Sequence, residues 1–172
     1  MSHDAHIEYA ILPGRNAMAF RCVGRCVMGV CPTLRSKIAD TGTPPIRHIY
    51  VDLSAADFID STFTGFLLSL RRGQADAGPT LHLVAPTAGV LRTLETMQVR
   101  RLMDIVSELP ESVDRWEALA TDPLDASQSC ELVIDAHEAL IDADESNRAK
   151  FGHVVELFRK DLEDKHDADN AS

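Results

Sequence analysis

Aromatic side chains are scarce in this chain of 172 residues, where Phe, Tyr and Trp make up 5% of the sequence. Aliphatic side chains must therefore fill the core, since hydrophobic residues still account for 45% of the chain. No apolar run approaches the roughly 18 residues of a membrane-spanning helix, so the sequence predicts no contact with the membrane interior. The first residues lack the basic and apolar regions of a signal peptide, and we therefore expect a cytoplasmic protein.

Sequence motifs for nucleotide binding and for serine hydrolysis are also missing. The chain has neither a G-x-x-x-x-G-K-[ST] loop nor a G-x-G-x-x-G loop. It also has no G-x-S-x-G turn, in which a nucleophilic serine is flanked by glycines. His48, His82 and His137 are interpreted as packing residues within strands or helices rather than as general bases. The sequence thus predicts a protein with no catalytic residues and no cofactor.

Four cysteines are present, at positions 22, 26, 31 and 130. Their spacing does not reproduce the paired C-x-x-C ligands of structural zinc sites. We therefore predict no metal site. In a reducing compartment these thiols are expected to pack as small apolar side chains rather than to form disulfides.

Positive charge is deficient overall, because the formal net charge is -10. Residues 1–110 hold 11 basic and 10 acidic side chains, whereas residues 111–172 hold 6 and 17. A nucleic-acid binder needs clustered Lys and Arg to neutralise phosphates, so this charge balance argues against one. The acidity of the last third fits either a solvated helical face or an acidic arm that competes for a basic partner surface.

Hydrophobic periodicity divides residues 1–110 into alternating strands and helices. Apolar or β-branched runs predict strands at 7–12, 17–23, 48–53, 81–85 and 105–106. Helical spacing and a favourable Pro32 predict helices that begin near residues 32, 62 and 87. Right-handed crossovers then give an α/β domain with a mixed, mostly parallel sheet and helices packed against it.

Residues 111–172 are predicted to form an acidic helical C-terminal extension. A helical turn is expected around Trp116, followed by a helix over 130–141 and a break at 142–145. Apolar residues then recur at helical spacing, at Phe151, Val154, Val155 and Phe158. Neither helix is long enough to be stable alone, so we expect a helical hairpin. Its apolar stripe either folds back on the domain or pairs with a second copy as a homodimer.

The most informative segment, residues 51–67, runs from an apolar strand through Asp-Ser-Thr into an amphipathic helix. Its motif, Phe58-Ile59-Asp60-Ser61-Thr62, resembles that of the STAS family, the anti-sigma factor antagonists of bacterial partner-switching systems. The resemblance covers roughly residues 7–107, including the order of strands and helices, and extends to the later run 94–102. The chain departs from the family at Phe63, where a glycine is usual, and has Gly65 two residues later.

This resemblance implies that Ser61 is phosphorylated by a serine kinase that is also an anti-sigma factor. Thr62 is the weaker candidate for phosphorylation, and Thr64 is expected to face outward from the first helical turn. A phosphatase of the PP2C class would restore the unphosphorylated form. The residues expected to contact the partner are Asp57, Asp60, Ser61, Thr62, Thr64 and Gly65.

Physical chemistry is consistent with a switch at Ser61. A helix N-terminus has unpaired backbone N–H groups that tolerate a phosphate, which adds about -1.5 to -2 charge. From the residues alone, an ordinary helix N-cap is the favoured interpretation of Ser61, and the family resemblance reverses that order. An alternative function also remains, in which the chain is a structural subunit or oligomerisation module of a larger bacterial signalling complex.

Overall fold

Six strands form one mixed sheet in the computed structural model, which describes residues 5–40, 45–73, 78–121 and 123–170. The strands are β1 (His6–Leu12), β2 (Ala17–Cys26), β3 (His48–Ile59), β4 (Thr80–Val84), β5 (Ile105–Val106) and β6 (Glu117–Leu119). The order across the sheet is β5-β4-β3-β2-β1-β6. The first two strands are antiparallel, whereas β2, β3, β4 and β5 run parallel to one another. The predicted α/β class is confirmed.

Five helices in the described part of the chain complete the fold, and four of them contribute to one core on one face of the sheet. Side chains such as Val51 and Leu53 on β3 meet Phe63 and Phe66 there. Leu140, close to the end of the chain's fourth helix, belongs to the same core. The helices are α1 (Cys31–Ala39), α2 (Ser61–Arg72), α3 (Ala88–Thr96), α4 (Ala126–Ala143) and α5 (Ser146–Asn170).

The opposite face of the sheet is covered by the segment that follows β5. Trp116 packs there near Ala17 and Ala19, and the guanidinium of Arg21 lies 4.1 Å from the centre of its ring. The expected helical turn around Trp116 is wrong, because the chain continues into β6, which pairs antiparallel with β1. This pairing satisfies the otherwise open edge of β1. The sheet thus extends beyond residue 110, and the domain boundary expected there stays a prediction.

The four cysteines are buried and form no disulfide, as expected. Three of them, Cys22, Cys26 and Cys31, lie in the main core among aliphatic side chains. Burial raises the pKa of the Cys31 thiol, which keeps this group uncharged and consistent with apolar packing.

Helices α4 and α5 form the predicted hairpin. The first begins with a reciprocal capping box between Asp125 and Gln128. Val155 on α5 is buried against Ile134 and Ile141 on α4, and Phe151, Phe158 and Leu162 pack beside it. The hairpin folds back on the domain through α4, which packs on α2, whereas the stripe on α5 packs mainly against α4. Pairing of the stripe between two protomers stays a prediction. In the described part of the chain, no helix combines the length and apolar character needed to span a bilayer.

Candidate functional site

The junction between β3 and α2 is held by Asp60. Its Oδ1 accepts a hydrogen bond from the backbone N–H of Phe63 at 2.7 Å, and its Oδ2 accepts one from Met28 N–H at 3.0 Å. Asp60 is therefore the N-cap of α2, and the alternative assignment of that role to Ser61 is wrong. Because both carboxylate oxygens are engaged within the chain, the main effect of Asp60 is to position the residue that follows.

Ser61 is the first residue of α2 and is partly exposed. Its Oγ lies 2.9 Å from Nε2 of His137 on α4. The other ring nitrogen, Nδ1, lies 2.7 Å from the carbonyl oxygen of Val133. Since a carbonyl can only accept a hydrogen bond, Nδ1 carries the proton of the neutral ring and Nε2 accepts from the Ser61 hydroxyl. The serine hydroxyl thus donates a hydrogen bond to His137 in the C-terminal hairpin.

His137 is the site residue that sequence reasoning missed. It is 4% exposed, and its ring centre lies 5.0 Å from that of Phe151 on α5. Burial lowers the pKa of His137, while the Val133 carbonyl and the charge of Asp60 oppose this shift. Its interpretation as a packing residue describes its burial but not its hydrogen bond to a residue 76 positions away. No sequence signal connects two positions so far apart.

Gly65 lies where α2 and α4 make their closest approach. A Cβ atom at this position would lie 2.1 Å from the backbone carbonyl oxygen of Ala136, well inside any tolerated contact. Only glycine therefore allows the α4 backbone to lie directly on α2. The glycine that departs from the family pattern is explained by a contact within this chain.

The predicted partner-binding residues are brought together at one junction but differ in exposure. Asp57 is exposed, whereas Asp60 and Ser61 are partly exposed. Thr62, Thr64 and Gly65 are buried. The expectation that Thr64 faces outward is wrong, because its Oγ1 donates to the Asp60 carbonyl at 2.7 Å and the side chain is fully buried.

The open side of Ser61 borders a cleft of about 790 Å³ between the β3–α2 junction, α3 and α5. Phe58, whose side chain is 38% exposed, lies at this cleft, and the guanidinium of Arg25 lies 4.4 Å from its ring centre. From α3, the cleft is lined by Arg92, Thr93 and Thr96. The cleft therefore offers a molecule an approach to Ser61 in this conformation.

Chemically, the site offers a hydroxyl at a helix N-terminus beside a neutral imidazole. The imidazole is oriented by a carbonyl group rather than by a carboxylate, and burial reduces its basicity. Both features make His137 a weaker base than the histidine of a serine hydrolase triad, whose ring is oriented and stabilised by a carboxylate. The arrangement suits a hydroxyl that receives a group from another protein better than a nucleophile activated within this chain.

Comparison with known proteins identifies the family. A sequence model of the STAS domain matches residues 9–114, which is more than half of the chain, and the chain therefore belongs to the STAS domain family. A search of curated protein sequences gives no significant match.

Three solved structures are similar in fold at low sequence identity. SpoIIAA, an anti-sigma factor antagonist in its unphosphorylated form, is 18% identical with a TM-score of 0.49, over 61% of this chain and 90% of that protein. TM1081 of Thermotoga maritima is 18% identical with a TM-score of 0.48, over 58% and 78%. SLC26A9 is 12% identical with a TM-score of 0.41, over 62% and 23%. Since these scores lie below 0.5, the family assignment rests on the sequence model.

Proposed function

We propose that this protein is a non-enzymatic anti-sigma factor antagonist controlled by phosphorylation. In its unphosphorylated form it binds a serine kinase that acts as an anti-sigma factor, in the cytoplasm. Phosphorylation of Ser61 abolishes this binding, and a PP2C-type phosphatase restores it. The observation that carries the proposal is the position of Ser61 in this STAS chain, at the first position of α2 with its open side at the cleft.

Electrostatics supports a switch that changes binding without unfolding the protein. A phosphate on Ser61 would add about -1.5 to -2 charge close to Asp57 and Asp60. The N-terminus of α2 tolerates this charge, because the helix dipole places partial positive charge there. An acidic or closely fitting partner surface would be repelled, since the added charge cannot be buried without compensation.

The accessible part of the predicted interface indicates where a partner would make contact. Asp57 and Ser61 are available at the cleft, together with the exposed ring of Phe58 and with Arg92 on α3. Gly65 would join this contact only if α4 moved away, because the α4 backbone lies against it.

The direct test is phosphorylation of the full chain by an anti-sigma factor kinase from the same organism, with ATP and mass-spectrometric mapping of the product. Ser61→Ala should lose the modification. Ser54→Ala is the matched control, because Ser54 is an exposed serine on β3 seven positions earlier and should leave phosphorylation unchanged. Phosphorylation of Ser61→Ala to the wild-type extent would overturn the site assignment.

A further inference from the structure

Helix α4 packs along α2, the helix that begins with the proposed switch residue, Ser61. At the first turn of α2, Ser61 bonds His137, and at the second, Gly65 meets the α4 backbone. At the last turn, Arg72 bonds the Ala139 carbonyl at 3.2 Å and the Asp142 carboxylate at 3.1 Å. The contact is therefore a helix–helix interface with a distinct anchor at each end.

From these contacts we infer that α2 carries a helix-docking surface, occupied in the free protein by α4 and available to a partner helix when the hairpin leaves. The surface fits a helix whose backbone approaches closely, because Gly65 has no Cβ. The partner would be the kinase of the proposed function, and this inference rests on that proposal for the identity of the partner. The hairpin is then a tethered competitor for the partner's site.

The hairpin has the features of a unit that can leave as a whole. Its two helices share their own apolar cluster around Val155, Ile134 and Ile141, which stays intact if both move together. The chain that connects β6 to α4 is exposed at Ala120, Thr121 and Pro123, and Leu124, which packs against the main core, is the contact that a reorientation of this connection would release. Opening of such units costs less than global unfolding in many proteins.

Opening has a cost that explains why a partner helix must replace α4. Leu132 and Leu140 on α4 belong to the main core, and their release exposes apolar surface on both sides. A partner helix that buries the same surface of α2 recovers part of this cost. Its binding also frees the Ser61 hydroxyl from His137, so that docking of the kinase and access to its substrate hydroxyl occur together.

Gly65→Ala in the full chain tests whether α4 occupies this surface of α2. The new Cβ meets a backbone carbonyl and must push α4 away, whereas within α2 alanine is the better helix former by about 1 kcal/mol. Gly152→Ala on α5 is the matched control, because its Cβ would lie 3.6 Å from Arg148 Cγ, an ordinary contact. Residue-resolved hydrogen exchange should show at least a tenfold loss of protection across α4 and α5 in Gly65→Ala, with β2 and β3 unchanged. Gly152→Ala should match the wild type.

Equal loss of protection in sheet and hairpin, or no loss in either, would overturn the inference, because the hairpin would then not open as a unit.

Ala136→Leu opens the same contact from α4 and leaves α2 unaltered, with Asp135→Leu on the exposed face as its control. The affinity of the unphosphorylated protein for the kinase should rise at least tenfold in Ala136→Leu and stay unchanged in Asp135→Leu. An opened hairpin with unchanged affinity refutes the competition. The absence of phosphorylation at Ser61 of the wild-type chain in the separate kinase assay refutes the proposed function instead.

Discussion

The N-terminal end of α2 and the body of the same helix differ in what they offer to another molecule. At the end, Ser61 borders an open cleft with exposed Phe58 and Asp57. One turn further along the same face, Gly65 lies against the backbone of α4 with no room for a methyl group. The difference shows that one helix can carry a modifiable residue at its end and an occupied docking surface along its length. Each prediction below changes one of these two regions and compares it with a matched variant.

The largest change in stability is expected where α4 packs on α2, from loss of a core side chain that α4 supplies. Leu140 is fully buried, and Leu140→Ala should reduce the free energy of unfolding of the hairpin by about 2–5 kcal/mol through lost burial and a cavity. Leu157→Ala on α5 should change it by less than about 0.5 kcal/mol, because Leu157 is 48% exposed. Urea titration followed by circular dichroism measures both. Similar values for the two variants would mean that α4 is not part of the core in solution.

A smaller effect is expected at the junction that presents Ser61. Asp60→Ala removes the N-cap of α2 and leaves the Met28 N–H without its acceptor, which should cost about 1–3 kcal/mol. Asp57→Ala, three residues earlier and exposed, should be neutral within about 0.5 kcal/mol. Thermal unfolding of the full chain distinguishes the two variants. An unchanged midpoint in Asp60→Ala would show that the cap does not hold the site.

The smallest effect is expected from protonation of His137. Because burial lowers its pKa in the folded protein, the unfolded chain binds the proton more readily below the ordinary histidine value of about 6.5. Hairpin stability should therefore be greatest above that pH and should fall as the pH is lowered through it. Hydrogen exchange of α4 between pH 7.5 and 5.5, corrected for the intrinsic rate, measures this change.

The matched variants for this pH dependence are His137→Gln and His153→Gln. The first removes the titrating ring between α2 and α4 and should flatten the profile. The second changes an exposed histidine on α5 and should keep it. A profile unchanged by His137→Gln would assign the pH dependence to another group.

Much of the architecture could be predicted because it is local. Alternating and helical apolar patterns indicated the strands, the helices and the hairpin stripe from Phe151 to Phe158, since each depends on residues within a few positions. The cluster of capping residues at 60–62 indicated the start of α2, although not that Asp60 rather than Ser61 is the cap. The second hydrogen bond of the Asp60 carboxylate, from the N–H of Met28, joins residues 32 positions apart and could not be read from a local pattern.

The sequence by itself determined the order of strands and helices up to residue 110, the STAS motif at Ser61 and the acidic, helical character of the end of the chain. The tertiary structure alone decided what the buried faces meet: β6 on the edge of β1, α4 on α2, and His137 on Ser61. The physical reason is that periodicity specifies which face of an element avoids water but carries no information about the surface that covers it.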